Sequence, residues 1–93
     1  MFNPPHPGET LEKDVLPALN ISIAAFARRM HYPRKHMMQI FRGSAPITAD
    51  LAIRLERAGI GKAHMWMGRQ VAWDLWQAEQ RRQPVIEHMP RFD

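Results

Sequence analysis

The 93-residue sequence contains no cysteine, which excludes a disulfide framework, a thiolate nucleophile and any sulfur-ligated metal site. Long apolar runs are missing too. Nothing approaches the roughly 18 consecutive apolar residues of a membrane span, so no membrane association is expected. The opening Met1-Phe2-Asn3-Pro4-Pro5-His6-Pro7 has neither a basic n-region nor an apolar h-region and does not read as a signal peptide. A reducing cytoplasm is the expected compartment. Strand-like alternation, internal repeats and low-complexity tracts are absent. So are a glycine-rich phosphate loop and a Ser/His/Asp grouping; the reading is of a protein that is not an enzyme and needs no cofactor. The length allows one domain over residues 1–93, since two cores would each bury too little apolar surface.

Acid is lacking in one long stretch. From Val15 through Ala49 there is no Asp or Glu, while Arg28, Arg29, Arg34, Lys35 and Arg42 all fall there. The remainder holds eight basic and nine acidic residues, so the whole net charge of +4 comes from this window. Segregated charge of this kind is the electrostatic footprint of a polyanion partner; a solvated basic face is the plainer alternative.

What is present reads as five helices and an all-α fold. Pro4, Pro5 and Pro7 predict an extended start. The first helix is expected from about Glu9 to Leu16, with Leu11, Val15 and Leu19 forming its buried stripe and Pro17 stopping or kinking it. Ser22 is a suitable N-cap for a second helix, about Ile23 to Met30, burying Ile23, Phe26, Ala27 and Met30. His31-Tyr32-Pro33 breaks the pattern. A third helix runs from about Pro33 or Arg34 to Phe41, with Met37, Ile40 and Phe41 inward and Gly43 leaving it in the left-handed conformation. Thr48 caps a fourth, about Ala49 to Ala58, burying Leu51, Ala52 and Leu55. The fifth and longest spans about Lys62 to Arg81, and the residues from Pro84 onward read as a frayed tail.

Two short helices joined by a three- or four-residue turn, the second opening on basic and polar side chains, form the helix-turn-helix arrangement, here within about residues 22–42. Ala27 lets the two helices cross closely and Tyr32 is the candidate apolar plug of the turn. His31 takes the turn position where glycine is usual, and histidine is among the residues that tolerate φ > 0. With Met37, Ile40 and Phe41 inward, Arg34, Lys35, Met38 and Gln39 face outward. Their chemistry suits a major groove: Arg and Lys pair with guanine O6 and N7, Gln with adenine N6 and N7, and Met38 can touch a thymine methyl. Arg42, Ser44 and the amides at the Thr48-capped helix start are placed for phosphates, which set register. Arg28 and Arg29 either reach the backbone or are merely solvated.

The five histidines invite a metal reading, but His31 and His36 do not share a helical face and no carboxylate lies near. No metal is expected, and surface or groove-lining roles are. The seven methionines read as core filler. Trp66, Trp73 and Trp76 lie at i, i+7 and i+10 on the last helix, one stripe. This stripe either seals the core against the first helix or forms a two-fold interface; the latter is favoured, because so small a domain does not readily bury three indoles. A dimer sets two recognition helices about 34–36 Å apart and reads a palindromic operator.

Three stretches carry a family resemblance: Asn3-Pro4-Pro5-His6-Pro7-Gly8-Glu9, the Ser22–Gly43 segment with Ile47-Thr48, and Ala72-Trp73-Asp74-Leu75-Trp76-Gln77-Ala78-Glu79. Together they resemble the HigA-type antitoxins, also known as virulence-associated protein I, within the helix-turn-helix family that includes the phage repressors. The resemblance implies a lambda-repressor-like domain that neutralises a RelE-like ribonuclease toxin and represses its own operon as a homodimer. It assigns the groove-facing positions to Arg34, Lys35, Met38 and Gln39. Pro33 stands where the family commonly opens the recognition helix with serine, so a phosphate-binding hydroxyl is lost, and Gly61 stands where a better cap precedes the last helix. Two other classes fit the residues: a stand-alone transcriptional regulator without a toxin, and a protein-binding adaptor built on the same scaffold.

Overall fold

Helix α1 starts at Pro7, two residues before its expected beginning. The computed structural model, which describes residues 3–91, contains α-helical Pro7–Thr10, a π-helical turn at Leu11–Val15 and α-helical Leu16–Leu19 in succession; these together are α1. Pro7 fits the first turn because its missing N–H would have had no partner there. Pro17 does not stop the helix. Ahead of it the Leu16 amide reaches back five residues to the Leu11 carbonyl, and this wider turn accommodates a ring that would clash in a regular α-helix. The π turn also changes the buried stripe. Leu11 and Leu16, five apart, are buried, Val15 is half-buried, and Leu19 is exposed. Asn20, in the left-handed conformation at φ 55°, ends α1.

The four remaining helices follow local signals closely. Helix α2 is Ile23–Arg29, with the Ser22 hydroxyl accepting from the Ala25 amide at 3.1 Å. Helix α3 is Arg34–Phe41, with Pro33 as its N-cap. It ends in a two-bond left-handed cap: the Gly43 amide donates to Ile40 O and the Ser44 amide to Gln39 O, with Gly43 at φ 77°. Helix α4 is Ala49–Arg57, where Thr48 Oγ1 accepts from the Leu51 amide at 3.2 Å. Helix α5 is Ala63–Gln80. Its N-cap is Lys62, whose side chain makes no cap bond; instead Glu56 of α4 accepts from the Ala63 amide at 2.7 Å. No strand occurs among the described residues, and no helix there is long and apolar enough to cross a membrane.

All five helices face one core. Leu11, Phe26, Met37, Ile40, Ile47, Leu51 and Leu55 are essentially inaccessible, and Phe26 meets Phe41 with ring centroids 6.2 Å apart. Each such side chain contributes about 1.5–3 kcal/mol of transfer free energy. Trp66 belongs to this core. It is 2% exposed and its indole N–H donates to the Ile60 carbonyl, which corrects the expectation that it faces a second copy.

Candidate DNA-binding surface

The turn between α2 and α3 sets the pose of everything outward from it. His31 sits at φ 53°, where a non-glycine residue costs roughly 1–2 kcal/mol, and its neighbours offset that cost. The Tyr32 amide donates to Ala27 O at 2.9 Å. Arg54 of α4 donates from Nη1 to the Met30 carbonyl at 3.2 Å and the His31 carbonyl at 2.8 Å. Its guanidinium also lies 6.0 Å from the centre of the Tyr32 ring, within cation–π range. Tyr32 is half-buried against the core, as a turn plug must be. Arg54 is a residue that sequence reasoning missed, since its role depends on a contact 23 residues away in the chain.

With the turn pinned, α3 divides cleanly. Met37, Ile40 and Phe41 are 0–4% exposed. Arg34 and Lys35 are exposed, Met38 and Gln39 half-buried, and these four with Arg42 line one shallow depression of about 450 Å³. The structure therefore brings five of the seven expected contact residues together. None of the three cations makes an ion pair among the described residues, so their charge is available to a ligand.

Ser44 and Thr48 lie beyond the depression, and their hydroxyls are differently disposed. Ser44 donates its proton to the Gln39 carbonyl at 3.1 Å. Thr48 only accepts, from the Leu51 amide, which leaves its own O–H to donate outward. Of the two, Thr48 is better suited to a phosphate oxygen. Arg28 and Arg29 are exposed at the end of α2.

Behind the surface, a polar cluster ties the start of the chain to α3 and α5. His6 is 6% exposed and is the N-cap of α1, its Nδ1 accepting from the Gly8 amide at 2.9 Å; this one histidine is neither surface nor groove-lining, whereas His31, His36, His64 and His88 are exposed. The His6 ring meets Trp73 edge-on with centroids 4.8 Å apart, so Trp73 is partly engaged within the chain. Gln70, 3% exposed, accepts from the Ile47 amide at 2.8 Å and donates to Asp74 at 3.0 Å. Gly8 touches α3 itself: a Cβ there would land on the Ile40 carbonyl oxygen. Three prolines and a histidine before an acid-rich turn gave little hint of this, because the buried state of His6 is a tertiary property.

Burial holds the His6 imidazole below its ordinary 6.5, and the nearby Asp74 carboxylate, the Ala45 backbone and Glu9 offset this only in part. Accepting from Gly8 requires Nδ1 to be unprotonated, so protonation there breaks the cap. The unfolded chain then binds more protons than the folded one below about pH 6.5. The stabilisation is complete above that value and lost progressively as pH falls. Denaturant midpoints measured from pH 8 to pH 5 should decline more steeply for the native protein than for His6→Asn, which retains an N-cap acceptor without titrating. Equal slopes would show that His6 is not the group concerned.

A short, closely crossed helix pair with a cationic second helix defines a helix-turn-helix protein of the lambda-repressor-like fold. No family model matches the sequence. Virulence-associated protein I of Dichelobacter nodosus is 39% identical over 80 residues, covering 86% of this chain and 74% of the relative. Among solved structures, antitoxin GraA superposes with a TM-score of 0.80 at 32% identity, over 86% of each chain. Pseudomonas aeruginosa antitoxin HigA, solved with the higBA promoter, superposes with a TM-score of 0.72 at 34% identity, over 89% of this chain and 99% of that one. The chain belongs to the HigA/VapI family of helix-turn-helix antitoxins and transcriptional regulators.

Proposed function

We propose that the protein is a homodimeric antitoxin that represses its own operon and neutralises a RelE-like ribonuclease toxin. The observation that carries the DNA half is the exposed cationic face of α3, with Arg34, Lys35, Met38, Gln39 and Arg42 around one depression on a helix whose opposite side is locked into the core. In this reading α3 enters the major groove, with Arg34, Lys35 and Gln39 on base edges and Met38 against a thymine methyl. Arg42 and the Thr48-capped start of α4 hold phosphates, with Ser44 beside them. Two copies related by a two-fold axis read a palindrome. Support for the toxin half is family membership.

Two measurements test the two halves separately. Binding to the DNA upstream of its own gene should weaken steeply with salt, with a log–log slope near −0.9 per phosphate neutralised; a flat dependence would favour the adaptor reading. Expression of the adjacent reading frame alone should arrest growth, and co-expression with this chain should restore it and yield a stable complex. If the neighbour is harmless and does not co-purify, the protein is a regulator without a toxin.

A further inference from the structure

We propose that His6 is a proton-operated latch behind α3: a proton taken up by its ring loosens the start of α1 and releases operator DNA. The proposal rests on the reading of α3 as the DNA-contacting helix. Three elements meet at this ring. Its Nδ1 caps α1 through the Gly8 amide, and its edge-on partner Trp73 belongs to α5. A Cβ added to Gly43 would sit 3.6 Å from the His6 Cγ, so the ring backs onto the end of α3. Gly8, held by the cap, presses on the Ile40 carbonyl. That same carbonyl accepts from the Gly43 amide at 3.0 Å in closing the last turn of α3. Gln39 lies in this turn and Arg42 just after it, and both line the outward depression. The ring thus stands directly behind two DNA-facing side chains while staying off the surface itself.

The tautomer fixes where the proton must go. With Nδ1 an acceptor, the neutral ring carries its hydrogen on Nε2, which is buried without a hydrogen-bond partner among the described residues. A second proton therefore adds at Nδ1 and takes the lone pair that received Gly8. Two N–H groups then oppose each other across the cap. The charged and polar groups around the ring are all of one kind. Asp74 faces it from α5, Glu9 from α1 and the Ala45 backbone from the link between α3 and α4. Ser44 and Gln70 share the recess, and no Lys or Arg lines it. Glu9 is already engaged by Lys13 at 2.9 Å, so the imidazolium is drawn toward Asp74 and Ala45 and off the Gly8 amide. Operator binding selects the capped, neutral ring, and linkage makes the effect reciprocal. Protons lower the affinity for DNA by up to about tenfold per pH unit for each chain once the ring titrates. Exposed His31 and His36 act in the opposite sense, because added positive charge strengthens binding to a polyanion.

The test is affinity for the DNA upstream of the gene from pH 8 to pH 5 at fixed salt, for the native chain and His6→Asn. Asparagine keeps an N-cap acceptor, and the exposed histidines remain in both proteins. Relative to the variant, native affinity should fall about threefold or more by pH 5, with helical circular dichroism retained. Parallel curves overturn the latch, and so does a native chain whose loss of binding follows its loss of helix. Should His6→Asn fail to fold, the native ring is followed directly by NMR titration of its Cε1 proton. It should protonate at lower pH with operator bound than without, and equal titrations overturn the latch. A chain that does not bind this DNA at pH 8 removes the α3 reading and the latch together. Binding at pH 8 without a His6-dependent decline removes the latch alone.

Discussion

Replacing Arg34 and Lys35 together by alanine is expected to weaken binding to the operator upstream of this gene by about two orders of magnitude or more. Base-edge contacts of this type are worth roughly 1–3 kcal/mol each, and both side chains are exposed at the N-terminal end of α3 without an ion pair among the described residues. Stability should barely change, since neither contributes to the core. Titration by fluorescence anisotropy at fixed salt measures the effect. The informative control is Arg28→Ala with Arg29→Ala, which removes the same charge from the end of α2. If that pair weakens binding as much, net charge and not the α3 surface governs the affinity. Loss of discrimination between operator and unrelated DNA should accompany the α3 double variant alone.

The largest expected effect on stability is at Gly8. In Gly8→Ala the new methyl occupies the position of the Ile40 carbonyl oxygen, which is backbone and cannot rotate away. Overpacking typically costs 1–3 kcal/mol, and a clash with main chain belongs at about 3 kcal/mol. For a domain of this size each kcal/mol shifts the melting temperature by about 4–8 °C, so thermal denaturation should fall by more than about 10 °C. Operator affinity should fall as well where the clash is relieved by displacing the C-terminal half of α3, to which the Ile40 carbonyl belongs. A variant that melts normally would mean that α1 does not approach α3 this closely.

The helices that were legible in the sequence are those whose ends are set within three residues of themselves. Ser22 and Thr48 accept from the third amide ahead, and Gly43 supplies the left-handed turn; their identities alone place α2, α3 and α4 within a residue. The outward set of α3 was legible for the same reason, as 3.6-residue periodicity assigns the opposite face. Helix α1 was not. Prolines there suggested extended backbone and an early stop, whereas Pro7 opens the helix and a π turn carries it past Pro17. The polar residues that hold the surface in place, His6, Arg54 and Gln70, were invisible because each finds its partner across the fold. The tryptophans misled in part. Residue type suggested an interface, but Trp66 is enclosed by its own chain, and the exposed apolar strip of α5 runs through Val71 and Leu75 instead.

The π turn of α1 sets a rotational phase along the chain. One additional residue between Leu11 and Leu16 turns everything upstream by about 100° relative to a regular α-helix. His6 and Gly8 meet Gly43 and Ile40 only with that residue present. Excision of a solvent-facing position such as Lys13 or Asp14 would remove no buried side chain, yet it would swing the entire start of the chain off α3. In this protein the number of residues between two leucines matters more than which residues they are.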